Sequence, residues 1–244
     1  MAQTLVVLVA ATGAALAAAL GVVPLIGRPR PPTAWLAWAN ALAAGMMLAG
    51  AFALVDPVPR AAALPFALGA VLGIGFLYGS RAFSQTGELA LNELESAATE
   101  YGYEVLLVAS LHAAAEGVAI GAAMASDLGF GIFIAIALAL HNVPEGTVLA
   151  AVFRSRGVGT ARAATLAVVA NLGQIVLAVT TFAVVVAAPA MLPWALGFAA
   201  GALIYLVAAD LLPDSYATAG PTSIALTVVL AIWMFGLMHG VLRG

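Results

Sequence analysis

The stretch His141-Asn142-Val143-Pro144-Glu145-Gly146 sits inside a long apolar run, about residues 130–152. Such a run reads as a helix crossing a bilayer, which takes about 20 residues. On a helix, residues four apart share one face, with Cβ atoms about 6 Å apart. His141 and Glu145 therefore point the same way. The pattern recurs in the preceding apolar run as His112-Ala113-Ala114-Ala115-Glu116-Gly117. Ionisable groups at membrane depth cost about 2.5–3.5 kcal/mol or more apiece, so they mark a function. Imidazole with carboxylate is also a ligand set that suits a divalent first-row metal.

Outward from that stretch, the chain reads as a membrane protein throughout. Of its 244 residues, 64% are hydrophobic and 8% charged, and the mean hydropathy is +1.13. Soluble domains carry about 25% charged residues. All 8 basic residues are arginine, against 11 acids, and the net charge of -3 excludes a basic nucleic-acid binder. The absence of cysteine excludes disulfides, thiolate metal sites and cysteine nucleophiles together. The apolar start, about residues 1–20, lacks the basic leader of a cleaved signal peptide and is expected to stay as a first span.

The length rule places eight spans, at about 4–26, 35–55, 63–83, 104–125, 130–152, 163–187, 194–214 and 222–242. The expected fold is thus an all-α polytopic bundle, one domain over residues 1–244. Most connections are short and rich in turn residues, such as Asp56-Pro57-Val58-Pro59-Arg60 and Ser126-Asp127-Leu128-Gly129. The one long loop, 84–103, carries Glu88, Glu93, Glu95 and Glu100 and falls on the cytoplasmic side. An outside N-terminus puts Arg28, Arg30, Arg81, Arg154, Arg156 and Arg162 in cytoplasmic loops and only Arg60 and Arg243 outside. Positive-inside bias therefore predicts both termini outside.

An internal repeat is visible. Ala43-Ala44-Gly45 is followed by Pro57, and Ala199-Ala200-Gly201 is followed at the same separation by Pro213. Those two spans run in opposite directions, which is the pattern of an inverted repeat, spans one to three against six to eight around spans four and five. Close packing of two Ala/Gly-rich helices is the alternative.

The short link between spans four and five makes them antiparallel neighbours. His112 is then level with Glu145, and Glu116 with His141, so four ligands converge on one point. Two carboxylates offset a dication, and neutral imidazoles add nitrogen donors. The competing reading is a pair of interhelical His–Glu hydrogen bonds that only tie the bundle. Pro144 is expected to bend its helix just before Glu145, because it cannot donate to Leu140. Asn142 points about 100° round the helix from His141, toward a different partner. Gln174, one turn beyond Asn171 in span six, is a further candidate or interhelical glue. Met46 and Met47 read as core, His239 as interfacial, and Asp56, Asp210 and Asp214 as helix ends or entrance and exit.

At these residues the chain resembles the ZIP (ZRT/IRT-like) family of divalent metal transporters, prokaryotic type. His141–Gly146 matches the family's His-Asn-x-Pro-Glu-Gly pattern, and His112–Gly117 matches it except at Ala113 and Ala115. The likeness extends to Ala44-Gly45-Met46-Met47 and to Gly201–Tyr205 through Leu211-Leu212-Pro213-Asp214. It implies a transmembrane transporter domain importing Zn²⁺, or Fe²⁺, Mn²⁺ or Cd²⁺, toward the cytoplasm by alternating access. His112, Glu116, His141 and Glu145 would hold the ion, with Asn142 and Gln174 beside a second position. Ala113 stands where a ligating asparagine is common, and Gln174 where many prokaryotic members have glutamate. The expected partners are the metal ion as substrate and the lipid of the plasma or inner membrane, with no nucleic acid, no enzyme cofactor and a homodimer among the expected assemblies. The alternative is an intramembrane metal-dependent hydrolase using the same ligands. It would need a separate general base, as in His-Glu-x-x-His, which the chain lacks.

Overall fold

A computed structural model describes residues 2–27, 31–84 and 101–243. Ten α-helices carry the described chain: α1 (Ala2–Ala17), α2 (Thr33–Ala53), α3 (Ala63–Ser84), α4 (Tyr101–Ser126), α5 (Leu128–Ser155), α6 (Thr160–Ala170), α7 (Leu172–Ala187), α8 (Leu192–Leu206), α9 (Leu212–Ala219) and α10 (Pro221–Arg243). Among the described residues, seven helical runs are long and apolar enough to cross a membrane: Ala2–Leu25, Thr33–Ala53, Arg60–Ser80, Leu128–Ser155, Thr160–Ala187, Pro189–Ala219 and Pro221–Val241. The chain is a multi-pass membrane protein. The expected fourth span, about 104–125, falls within α4, which packs against α5, α7 and α8. Most of the expected acidic loop, with Glu88, Glu93, Glu95 and Glu100, lies outside the described residues, as do Arg28 and Arg30.

Three spans read as single helices are composite. The first passes from α1 into a 3-10 segment, Ala18–Leu25, that contains Pro24. The sixth breaks for one residue at Asn171, whose side chain donates to the Ala167 carbonyl at 2.9 Å and competes with the backbone ladder. The seventh loosens into a π-helical stretch, Val207–Leu211, between α8 and α9. Pro213 follows two residues later. It has no N–H to return to the carbonyl of Ala209, so regular spacing fails in the turn before it. Pro144, by contrast, lies inside α5, which continues as helix to Ser155.

The pairing of elements carries the repeat. α3 packs on α8 as α10 packs on α2; α4 packs on α7 as α5 packs on the 3-10 segment; α4 meets α8 as α5 meets α2. Each pairing maps onto its partner when spans one to three exchange with six to eight and α4 with α5. Close approaches follow the same exchange. A Cβ on Gly117 of α4 would collide with the carbonyl oxygen of Gln174, and one on Gly146 of α5 with that of Ala18. Gln174 follows Ala18 by the 156 positions that separate Gly201 from Gly45. α4 and α5 are therefore the buried centre. The outer faces of α3 and α10 expose Leu64, Val71, Leu72, Leu226, Leu230 and Trp233, an apolar surface suited to lipid.

Candidate metal centre

Asp127 starts α5 by accepting the N–H of Phe130 at 2.7 Å, so α5 turns back beside α4 with only one residue between the helices. That reversal brings Glu116 and His141 together in the interior. His141 Nε2 is hydrogen-bonded to Glu116 Oε1 at 3.1 Å and lies 3.6 Å from Glu145 Oε2. One ligand atom from each of the three residues falls within 4.8 Å of the others. Glu116 is 0% exposed and His141 1%, while the Glu145 side chain keeps 26%. Glu116 Oε2, Glu145 Oε2 and His141 Nδ1 are buried atoms with no hydrogen-bond partner. Two carboxylates and one imidazole in a medium of low dielectric leave negative charge and lone pairs that a cation satisfies.

The structure thus brings together three of the four residues expected to converge. Glu116 is level with His141, as the antiparallel crossing requires. His112 is not in that group of three; its Nε2 lies 3.7 Å from Asp210 Oδ2, with side-chain exposures of 13% and 15%. The sequence places Asp210 at the inner end of span seven, as a solvated helix end or a marker of entrance or exit. It sits there in the π-helical stretch, partly buried beside His112 of α4. The available signal was Pro213, which disturbs the helix just ahead of it.

Asn142 turns to the other side of α5. Its Nδ2 donates to the Ala14 carbonyl of α1 at 2.8 Å and to Gln174 Oε1 of α7 at 3.1 Å. Both amides are fully buried, and Asn142 Oδ1 and Gln174 Nε2 have no partner. On the Leu128 side of the centre, Met46, Met47, Leu138, Leu203 and Phe235 line a small apolar cavity that reaches His141. Met46 and Met47 are core residues, as read from the sequence. His239 packs against Phe133 in a tilted arrangement, with ring centroids 4.8 Å apart.

Comparison with known proteins gives a consistent picture. A family model described as ZIP zinc transporter matches residues 85–238, more than half of the chain. A putative zinc transporter of Arabidopsis thaliana is 32% identical over 222 residues, which cover 89% of this chain and 36% of that protein. The zinc transporter GufA of Myxococcus xanthus is 30% identical over 114 residues, 46% of this chain and 44% of that one. The match therefore spans less than half the length of either relative.

Proposed function

The chain belongs to the ZIP zinc transporter family, and from that premise we propose that it carries divalent metal cations, Zn²⁺ foremost, across a membrane. Fe²⁺, Mn²⁺ and Cd²⁺ share the ligand chemistry. The observation that carries this reading is the group of Glu116, His141 and Glu145 on α4 and α5, in which Glu116 Oε2, Glu145 Oε2 and His141 Nδ1 have no hydrogen-bond partner among the described residues. The ion is substrate here. Glu116 and Glu145 neutralise its charge, and His141, as a neutral imidazole, supplies nitrogen. His112 and Asp210 stand next on α4 and span seven. Asn142 and Gln174 are neutral and already bonded to each other.

The proposed topology is eight spans with both termini outside, so that transport runs inward, toward the cytoplasm, across the plasma or inner membrane. Packed apolar residues on the Leu128 side of the site, and a repeat that exchanges the bundle's halves, suit alternating access rather than an open pore. Family membership favours carriage over hydrolysis.

The test is uptake into proteoliposomes across a panel of divalent ions. Saturable uptake by the unaltered chain, lost in Glu145→Ala with the protein still folded in the membrane, is the expected result. Single-channel conductance steps in a planar bilayer, or uptake by Glu145→Ala equal to that of the parent, would overturn the reading.

A further inference from the structure

Away from the metal centre, the corner between α5 and α6 holds donors that have no acceptor among the described residues. Arg154 ends α5 in its last turn, Arg156 follows it, and Arg162 lies in the first turn of α6. These are three of the chain's 8 arginines, within nine residues, and no Asp or Glu occurs between Glu145 and Asp210. Arg154 Nε, Arg156 Nε and Arg156 Nη1 are shielded from solvent and have no hydrogen-bond partner among the described residues. A guanidinium stays charged at any accessible pH and only donates. Leaving such N–H groups dry and unpaired is costly.

The usual partners at this place are the last carbonyls of the helix. Here three of them are already engaged. The Phe153 carbonyl accepts from the N–H groups of Arg156 and Val158, the Arg154 carbonyl from Gly157, and the Val152 carbonyl from Ser155 Oγ. The incoming end of α6 adds more donors, because its cap residue is Gly159 and no side chain caps its first N–H groups.

We propose that the α5–α6 corner binds a phosphate group, held by Arg154 and Arg156. A phosphate offers several acceptor oxygens to a guanidinium fork. In the topology proposed above the corner lies at the cytoplasmic surface, where anionic lipid headgroups present phosphate at the height of a helix end. A soluble phosphate has the same chemistry. The site is about nine residues of α5 from Glu145, so its occupant steadies the far end of the helix that carries His141 and Glu145.

Native mass spectrometry of the full chain in detergent tests this, with phosphatidylglycerol and phosphatidylcholine as probes. The unaltered chain is expected to retain phosphatidylglycerol and lose phosphatidylcholine. Arg154→Gln with Arg156→Gln should weaken retention by about thirtyfold, from about fivefold per arginine at a membrane surface. Arg156→Lys, which keeps the charge but not the fork, should fall between. Arg60→Gln, at an exposed position before α3, should change nothing. Lipid that stays bound in millimolar inorganic phosphate identifies a headgroup site; lipid displaced by it identifies a soluble phosphate; both uphold the phosphate chemistry. Equal retention of the two lipids, or unchanged retention in both the double variant and Arg156→Lys, overturns the proposal. No metal enters these measurements, so the result stands apart from the transport reading.

Discussion

At the scale of single residues, Glu116 and His141 decide most. The hydrogen bond between His141 Nε2 and Glu116 Oε1 occupies two atoms that a metal ion needs, and the ion binds only their deprotonated forms. Binding should therefore release protons, and apparent affinity should fall as pH is lowered, because protons compete for the same lone pairs. Calorimetry in buffers of different ionisation enthalpy would show the release; an affinity independent of pH would count against His141 as ligand. Glu116→Gln keeps the shape but removes a buried charge, and should weaken Zn²⁺ binding by about a hundredfold or more, the upper range for groups that merely support a ligand. Gln174 sets a second outcome. Glu116 and Glu145 balance one dication, and the nearby amides of Asn142 and Gln174 add no charge. Equilibrium dialysis should find one ion per chain, and Gln174→Glu should add a weaker second. Two equally tight ions in the parent chain would show the charge argument wrong.

At the scale of elements, close approach is set by α4 and α5 against their neighbours. The Cβ that Ala would place at Gly117 or Gly146 meets a backbone carbonyl that cannot rotate aside. Each substitution should cost about 1–3 kcal/mol, seen as a lower melting temperature in detergent. Gly75→Ala on α3 and Gly236→Ala on α10 are the controls, since nothing lies within 4 Å of a Cβ there. They should leave stability unchanged or slightly raised, as helix propensity favours Ala. Equal losses at all four positions would point to propensity or lipid contact instead of packing. The composite spans belong to this scale too. Hydrophobic length predicts where a span lies but is blind to Asn171 bonding the Ala167 carbonyl, or to a π-helical turn before Pro213.

At the scale of the whole molecule, the two halves are alike in packing but not in chemistry. Under the repeat, Asn142 and Gln174 correspond to Ala113 and Ala18, so an amide bridge on one side of the centre has only methyl groups opposite. The bridge ties α5 to α1 and α7, whereas α4 has no such tie at Ala113. The orientation is directly testable because the chain has no cysteine. Ala161→Cys, between spans five and six, should react with an impermeant thiol reagent only from the cytoplasmic side. Ala190→Cys, between spans six and seven, should react only from outside. Both positions are exposed. Labelling of both from one side would refute the proposed topology.

What the sequence determined by itself was whatever depends on local composition and period. Runs of about 20 apolar residues dictate membrane-crossing helices, because backbone polar groups in lipid must bond within their own segment. The spacing of His141 to Glu145, with a link short enough to make α4 and α5 antiparallel, was sufficient to bring Glu116 opposite His141. The repeated Ala-Ala-Gly and Pro pairs announced the exchange symmetry of the packing. Only the tertiary structure decided which side chains meet. His112 and Glu116 share a face by spacing, yet His112 lies beside Asp210, a carboxylate in the π-helical stretch of a span far along the chain. Likewise Asn142 finds a carbonyl on α1 and an amide on α7, 128 and 32 positions away. Such contacts depend on how helices rotate and approach one another, and no period within a single segment encodes that.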